Sequence, residues 1–240
     1  GRCVYTQWLN ERGGIEADVT ITRLAEDRYY FVTGSAYGVH DLAHVRRHLP
    51  RDGSVEVREV TASRAVINLC GPRSRDVLQA VTDDDVGNAA LPYMKAREIR
   101  LGYAPVLALR VSYVGELGWE LHVPMDYAQH VYETLGAAGA AHGIADVGYR
   151  AISSLRLEKQ YLYWGADISP DETPLEAGLG FAVSMKKNVD FIGREALARQ
   201  KQEGVKRRLC WFAVDPRANL FGGEAILRDG AIIGYTTSGG

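Results

Sequence analysis

The chain has 240 residues, of which 46% are hydrophobic and 24% are charged, and its formal net charge is −2. This is the balance of an ordinary globular protein with enough chain to bury a sizeable core. The charge gives no basic footprint for DNA or RNA, and no apolar run approaches the roughly 20 residues of a membrane helix. We therefore expect neither a nucleic acid nor a membrane as a partner.

Strands and helices are predicted in blocks along the chain. The first 35 residues read as a three-strand meander, and a helix pattern follows over residues 38–49. After these come the buried strand "RAVINLC", a helix beginning in "GPRSRDVLQAV", strands between residues 96 and 123, two helical stretches, the helix "GREALARQKQ", a strand-like run after Gly204 and a hairpin with an Asp229-Gly230 turn. Blocks of this kind predict an α+β fold rather than regular β-α-β units. Neither a G-x-G-x-x-G after a strand nor a P-loop motif is present.

The stretch "YTQWLNERGGIEADVTITRL" predicts two strands joined by a turn. From Ile15 to Thr22 apolar and polar residues alternate strictly, which is the period of a strand with one buried face. Glu16 and Asp18 share the polar face, although Asp is disfavoured in the middle of a strand. Either this face is simply solvated, or it lines a site that needs a carboxylate.

The stretch "LRVSYVGELGWELHVP" carries a second acidic candidate. In its last strand Trp119, Leu121 and Val123 share one face, so Glu120 lies on the other face together with His122. A carboxylate held in this way can accept two parallel hydrogen bonds from adjacent N–H groups of a flat ring. The alternative is an exposed Glu on an edge strand.

Histidines and cysteines give no metal-ligand pattern. His40, His44 and His48 are spaced i, i+4, i+8 on the predicted helix and span about 12 Å along its axis, too far for one ion to meet all three. We expect a solvated helix face and no metal site. Three widely spaced cysteines without a disulfide pattern fit a reducing compartment, and the apolar runs around Cys70 and Cys210 predict buried thiols.

Four long stretches together resemble the aminomethyltransferase family, the glycine-cleavage T-protein and its relatives. They are "YTQWLNERGGIEADVTITRL", "SYVGELGWELHVP", "SLRLEKQYLYWGADISPDETPLEAGLGF" and "DFIGREALARQKQEGVKRRL". They occur in order and span nearly the whole chain. The sequence "GYRAISSLRLEKQYLYWGADI" is most similar to the tetrahydrofolate-binding half of sarcosine and dimethylglycine dehydrogenases.

The resemblance implies a multi-subdomain folate-binding aminomethyltransferase fold. Residues 1–203 are expected to form the folate-binding domain without its N-terminal part. Residues 204–240 are expected to be the start of a C-terminal β-barrel. Both domains are expected to be truncated, because the chain begins and stops inside strand patterns. FAD is expected only in a missing N-terminal half of a parent chain.

The resemblance also assigns roles to individual residues. The family's catalytic Asp falls on Asp18, and its pterin-binding Tyr and Glu fall on Tyr113 and Glu120. Further positions that line or contact the folate are Tyr5, Val19, Thr20, Leu121, His122, Tyr161 and Phe181, with the flanking residues of the two acids offering backbone contacts. Ile152 stands where the free T-protein has an Arg, so the contact of that Arg to the folate tail is either lost or supplied elsewhere, by Arg150 or Arg156.

The function that this implies is tetrahydrofolate-dependent transfer of a one-carbon unit, forming 5,10-methylene-tetrahydrofolate. The donor is a methylamine-derived one-carbon unit, and the compartment is the bacterial cytoplasm or the mitochondrial matrix. One alternative is a non-catalytic regulatory module on the same fold, like the regulatory subunit of pyruvate dehydrogenase phosphatase, which has no need to retain Asp18. A further alternative, from pattern alone, is an unrelated α+β binding protein.

Overall fold

The computed structural model describes residues 1–215 and 217–240, and this part of the chain divides into two compact units. The first unit consists of Gly1–Val4, Ile21–Phe31 and Leu42–Ile152, and the second of Tyr5–Thr20, Val32–Asp41 and Ser153–Gly240. Each unit has a hydrophobic core of its own. The described helices are all too short or too polar to serve as a bilayer-spanning segment.

The predicted meander is confirmed as a three-stranded sheet in chain order. Its strands are β1 (Arg2–Leu9), β2 (Ile15–Arg23) and β3 (Tyr29–Val32), and helix α1 (Gly38–Arg47) follows. The predicted alternation holds at the start of β2, where Ile15, Ala17 and Val19 are buried. The residues between them are half-buried, so Asp18 lies on the more open face.

The alternation fails at the other end of β2. Thr22 is fully buried and Ile21 is only half-buried, the reverse of the prediction. The Thr22 hydroxyl donates a hydrogen bond to the Sγ atom of Cys3 at 3.3 Å. Because this bond satisfies the hydroxyl, a polar side chain is accepted at a buried position.

The first unit is built on a second, antiparallel sheet. Its strands, in the order β4-β7-β6-β5, are β4 (Arg64–Cys70), β5 (Ala96–Leu101), β6 (Ala104–Leu109) and β7 (Gly118–Pro124). Helices α2 (Ser74–Gln79) and α3 (Ala128–Gly139) pack on one face, against Trp119, Leu121 and Val123 of β7. The opposite face carries the smaller cluster Cys3, Ala96, Leu107, Leu109 and Val111. Glu120 and His122 belong to this second face, because strand side chains alternate.

The second unit contains helix α5 (Arg194–Glu203) and a hairpin of the strands β8 (Ala225–Arg228) and β9 (Ala231–Tyr235). Helix α4 (Tyr149–Glu158) begins in the first unit and ends in the second. Helix α5 ends at Gly204, whose φ of +86° is accessible to glycine without strain, as predicted. The hairpin turn is also confirmed: Asp229 and Gly230 have φ values of +52° and +79°, the two positive angles that a type I′ turn requires.

Two expectations from local composition are wrong. The strand-like run after Gly204 forms no strand in the described part of residues 205–224, because apolar alternation makes a strand only where a partner strand completes its hydrogen bonds. Cys70 and Cys210 are exposed rather than buried. In β4 the side chain next to Cys70, that of Leu69, is the one that enters the core.

Candidate functional site

The Asp18 carboxylate of the second unit lies among polar groups from the neighbouring strand. Tyr5 and Gln7 are two residues apart on β1 and therefore share a face. The Nε2 atom of Gln7 donates to Oδ1 of Asp18 at 2.8 Å, and Tyr5 also hydrogen-bonds to this carboxylate. Burial raises the pKa of Asp18 from 3.8 to about 6, while these two hydrogen bonds act in the opposite direction. A carboxyl group with such a pKa can both take up and release a proton near neutral pH.

An open aromatic surface adjoins this carboxylate. The rings of Tyr5 and Phe181 are stacked at an interplanar angle of 24°, with centroids 6.3 Å apart. Phe181 lies on a single 3₁₀ turn, Gly180–Ala182, and is 78% exposed. Asp18, Tyr5 and Phe181, three of the residues predicted from the sequence, are thus close together in the second unit. The group offers a flat apolar face next to a titrating acid, which suits an aromatic or heteroaromatic ligand.

The second predicted carboxylate, Glu120, lies in the first unit on the central strand β7. Its neighbours across the sheet are Asn68 on β4 and Leu109 on β6. The Glu120 side chain is 22% exposed, and its Oε2 atom is 3.5 Å from Nε2 of the fully buried His122. The strand is internal, so the alternative of an edge-strand Glu is wrong. Glu120 can present one oxygen to a ligand while the other faces the protein.

The remaining predicted residues occupy four different kinds of position. Tyr113 is 39% exposed in the loop between β6 and β7. Tyr161 follows α4, and its backbone carbonyl accepts a hydrogen bond from Arg156. The side chains of Val19 and Leu121 are buried, which leaves only their backbone for a ligand, and Thr20 is half-buried. Their roles toward folate stay predictions.

The side chain of Arg156 is committed elsewhere, so it is not the predicted substitute for the family's tail-binding Arg. It is 3% exposed, and its Nη1 atom lies 2.5 Å from Oδ2 of Asp167. Removing the guanidinium from this buried pair would leave the carboxylate unpaired. Arg150, the other candidate, is exposed at the start of α4.

The predicted solvated face of α1 is wrong for two of its residues. Asp41 and His44 are buried, whereas His48 is exposed. His40 is half-exposed and pairs with Glu16 at 3.2 Å and with Asp41 at 3.0 Å. Residues 41 and 44 share a helix face, and because both are polar the apolar pattern did not reveal that this face is buried. In residues 1–215 and 217–240 no group of three or more His, Cys, Asp or Glu could hold a metal ion.

Three residues that contact predicted site residues or candidates were missed from the sequence. Gln7 could have been found, because the period of two places it beside Tyr5 on β1. Tyr30 contacts His122 and Asp167 contacts Arg156. These two contacts join distant or irregular segments for which a single sequence carries no local signal.

Replacing Asp18 by Asn should stabilise the protein at neutral and alkaline pH, but not at acidic pH. Because the folded-state pKa of Asp18 is about 6 against an ordinary 3.8, the folded protein binds this proton more tightly than the unfolded chain does. The stability that the folded protein gains from this tighter proton binding is complete below about pH 4 and is lost as the pH rises through 6. The difference of about two pKa units corresponds to about 3 kcal/mol.

Urea unfolding of the wild type and Asp18→Asn at pH 4 and pH 8 measures this effect. We expect equal free energies of unfolding at pH 4 and a more stable variant at pH 8. Asp27→Asn, at an exposed turn position, is the matched control and should change little at either pH. A variant that gains no stability at pH 8 would show that Asp18 is solvated in solution.

Comparison with known proteins assigns this chain and its fold to a family. Residues 1–187 match the GCVT N-terminal domain family. Mouse mitochondrial sarcosine dehydrogenase is 42% identical over 98% of this chain, which spans 27% of that protein. The mouse mitochondrial pyruvate dehydrogenase phosphatase regulatory subunit is 37% identical over 99% of this chain and 28% of its own length.

A solved structure agrees with the sequence comparison. The aminomethyltransferase T of the glycine cleavage system from Bartonella henselae superposes with a TM-score of 0.83 at 30% identity, covering all of this chain and 64% of that one. The chain therefore has the mixed helix and sheet fold of an aminomethyltransferase T-protein. It belongs to the GCVT aminomethyltransferase family, as its resemblance predicted.

Proposed function

We propose that this chain binds tetrahydrofolate and transfers a one-carbon unit to it, forming 5,10-methylene-tetrahydrofolate. The observation that carries the proposal is the Asp18 carboxyl, with its pKa near 6, beside the stacked rings of Tyr5 and Phe181. Membership of the aminomethyltransferase family supports a folate ligand.

The residues present fit the chemistry of tetrahydrofolate. Its pterin ring is flat and carries adjacent N–H donors, and its aryl group presents a second flat surface. The partly exposed Glu120 carboxylate can accept the N–H donors, and Phe181 offers an open aromatic face. A pterin-facing contact from Tyr113, in its exposed loop, and one from Tyr161 complete the proposed binding set, together with backbone groups of Val19, Thr20, Leu121 and His122.

Asp18 carries the proposed chemistry. Tetrahydrofolate supplies the amine nitrogens that accept the one-carbon unit. In its ionised form Asp18 stabilises the positive charge that develops as the unit is transferred, and it takes up the proton that leaves the nitrogen. The hydrogen bond from Gln7 holds the carboxylate in place, and partial burial strengthens its electrostatic effect relative to water.

Replacing Glu120 by Gln should weaken tetrahydrofolate binding by about 10- to 100-fold. A hydrogen bond to a charged group contributes about 1.5–3 kcal/mol, and the amide both loses the charge and places an NH₂ group against the N–H donors of the ring. Calorimetric titration of the wild type and the variant measures the change. Glu116→Gln, an exposed site in the loop before β7, is the matched control. Equal affinities for wild type and Glu120→Gln would remove Glu120 from the site.

The place of this chain within a longer polypeptide is also a proposal. The chain spans about a quarter of mouse sarcosine dehydrogenase. We propose that it is the folate half of a similar polypeptide, in which a flavin-dependent half oxidises a methylamine and supplies the one-carbon unit. Residues 1–203 would then be the folate-binding domain, and 204–240 the start of a C-terminal barrel. The bacterial cytoplasm or the mitochondrial matrix is the proposed compartment.

The rival proposal is a non-catalytic regulatory module. It is supported by the 37% identity to the regulatory subunit of a phosphatase. Asp18 separates the two, because a module without catalysis has no use for a half-buried, destabilising carboxylate. A chain that binds tetrahydrofolate but does not accelerate methylene-tetrahydrofolate formation would favour the regulatory proposal.

A further inference from the structure

We propose that Tyr30 and His122 are positioning residues for Glu120. The Tyr30 hydroxyl donates to Nδ1 of His122 and so stabilises the tautomer that carries its proton on Nε2, and this N–H orients the Glu120 carboxylate. The inference rests on the proposed function in one respect, namely that Glu120 receives the pterin ring.

The three side chains form a chain of contacts within the first unit. The Tyr30 hydroxyl is 3.0 Å from Nδ1 of His122, and the two rings are perpendicular, with an interplanar angle of 89° and centroids 5.3 Å apart. The His122 side chain is 1% exposed, and its Nε2 atom is 3.5 Å from Oε2 of Glu120. Among the described residues Nε2 has no hydrogen-bond partner. A buried polar atom without a partner, facing a carboxylate, is the feature to be explained.

The choice of tautomer follows from electrostatics. If Nδ1 of His122 carried the proton, it would donate to Tyr30, and the lone pair of Nε2 would face a negative oxygen of Glu120 in a dry environment. That arrangement is repulsive. If Tyr30 donates to Nδ1 instead, the Nε2–H group faces the carboxylate and the contact is attractive.

The surrounding groups favour the same arrangement. Burial raises the pKa of Tyr30, which keeps its hydroxyl protonated and able to donate. Arg64 on β4 acts on Tyr30 in the opposite direction, and Glu120 adds to the rise. Burial raises the pKa of the Cys3 thiol on β1, and the Glu120 charge adds to the rise, so Cys3 stays neutral. The Glu120 carboxylate is therefore the group toward which the Nε2–H group is directed.

The distance explains what this contact does. At 3.5 Å the Nε2 atom is beyond the usual 2.7–3.2 Å range of a hydrogen bond, so the contact between the N–H group and the carboxylate is an electrostatic attraction. Anchoring one oxygen in this way leaves the second oxygen on the exposed side. A carboxylate that is oriented before the ligand arrives loses less conformational freedom on binding.

The tautomer is tested without any ligand. In the full chain with ¹⁵N-labelled histidine, imidazole ¹⁵N shifts at pH 7.5 distinguish the two neutral tautomers from the imidazolium ion. The chain has six histidines, and the resonances that vanish in His122→Gln identify His122. We expect the Nε2–H tautomer in the wild type and a smaller share of it in Tyr30→Phe, where Nδ1 loses its hydrogen-bond donor. The Nδ1–H tautomer or an imidazolium ion in the wild type would overturn the inference.

The positioning role is tested by titration with tetrahydrofolate. Tyr30→Phe and His122→Leu should each lower the affinity by about 3- to 10-fold, the effect of one lost hydrogen bond. His122→Gln, whose amide can donate near the position of Nε2, should stay within about threefold of the wild type. A purely structural role would give Gln and Leu the same affinity. Tyr30→Phe removes a single hydroxyl, so it keeps the test decisive if His122→Leu does not fold.

Failure of this inference is distinct from failure of the proposed function. If the wild type binds tetrahydrofolate and Tyr30→Phe binds it equally well, the positioning role is overturned and the folate site remains. If the wild type does not bind tetrahydrofolate, the proposed function falls, and the role of Tyr30 and His122 toward a pterin falls with it.

Discussion

Replacing Asp18 by Ala lowers the rate of 5,10-methylene-tetrahydrofolate formation by about 10²-fold or more, while the affinity for tetrahydrofolate stays within about threefold. The reason is that Asp18 acts on charge and on a proton that appear during the transfer, whereas Glu120 and the aromatic rings carry the proposed ground-state binding. A group with a pKa near 6 is present in both protonation states near neutrality, which suits it to take up a proton in one step and release it afterwards.

Formaldehyde is the simplest donor for this assay. Its carbon replaces two N–H hydrogens of tetrahydrofolate, and one water is released, so the reaction balances without an oxidant. Because this condensation also proceeds without a catalyst, the quantity to compare is the rate above the protein-free background, followed by a coupled dehydrogenase. Asp27→Asn is the control for a lost surface carboxylate. An unchanged rate in Asp18→Ala would mean that Asp18 is a solvated strand residue.

Replacing Asp167 by Asn should lower the free energy of unfolding by about 3–5 kcal/mol, because it leaves the buried Arg156 guanidinium without its counter-charge. Both side chains of this pair are 4% exposed. Oδ2 of Asp167 also accepts the backbone N–H of Tyr163 at 2.9 Å, and Oδ1 accepts the hydroxyls of Thr237 and Ser238 at 2.5 and 2.7 Å. The carboxylate therefore joins helix α4 to the last residues of the chain.

Chemical denaturation of the wild type and the variant measures this loss. Asp171→Asn is the control, because the ion pair of Asp171 with Arg12 is 3.6 Å long and its side chains are 77% and 76% exposed. Such exposed pairs contribute at most about 1 kcal/mol. A loss in Asp167→Asn that does not exceed the loss in Asp171→Asn would show that the buried pair is solvated in solution. Since Arg156 donates to the carbonyl of Tyr161, the same variant should also disturb that proposed folate contact.

Features with a local cause were predictable from the sequence. The alternation around Asp18 set the face of that residue, and the alternation around Trp119 did the same for Glu120. The Asp229-Gly230 turn follows from backbone angles that few other residues adopt. The family and its fold were predicted because four long stretches match in order.

Features that depend on tertiary contacts were not predictable. Thr22 is buried because Cys3, from another strand, accepts its hydrogen bond, and His122 is buried against Tyr30, 92 residues earlier in the chain. A polar residue in a sequence pattern normally indicates solvent, and only the three-dimensional partner reverses this. The same applies to Asp167, which carries no signal in the sequence pattern and forms a buried ion pair with Arg156.

Binding of tetrahydrofolate to the wild-type chain tests the central claim most directly. Isothermal titration with tetrahydrofolate, and separately with p-aminobenzoylglutamate, which lacks the pterin ring, distinguishes pterin recognition from unspecific attraction of the tail. We predict saturable binding of one tetrahydrofolate per chain and much weaker binding of p-aminobenzoylglutamate, because Glu120 is proposed to receive the pterin. Equal binding of the two compounds, or no saturable binding of tetrahydrofolate, would contradict this account.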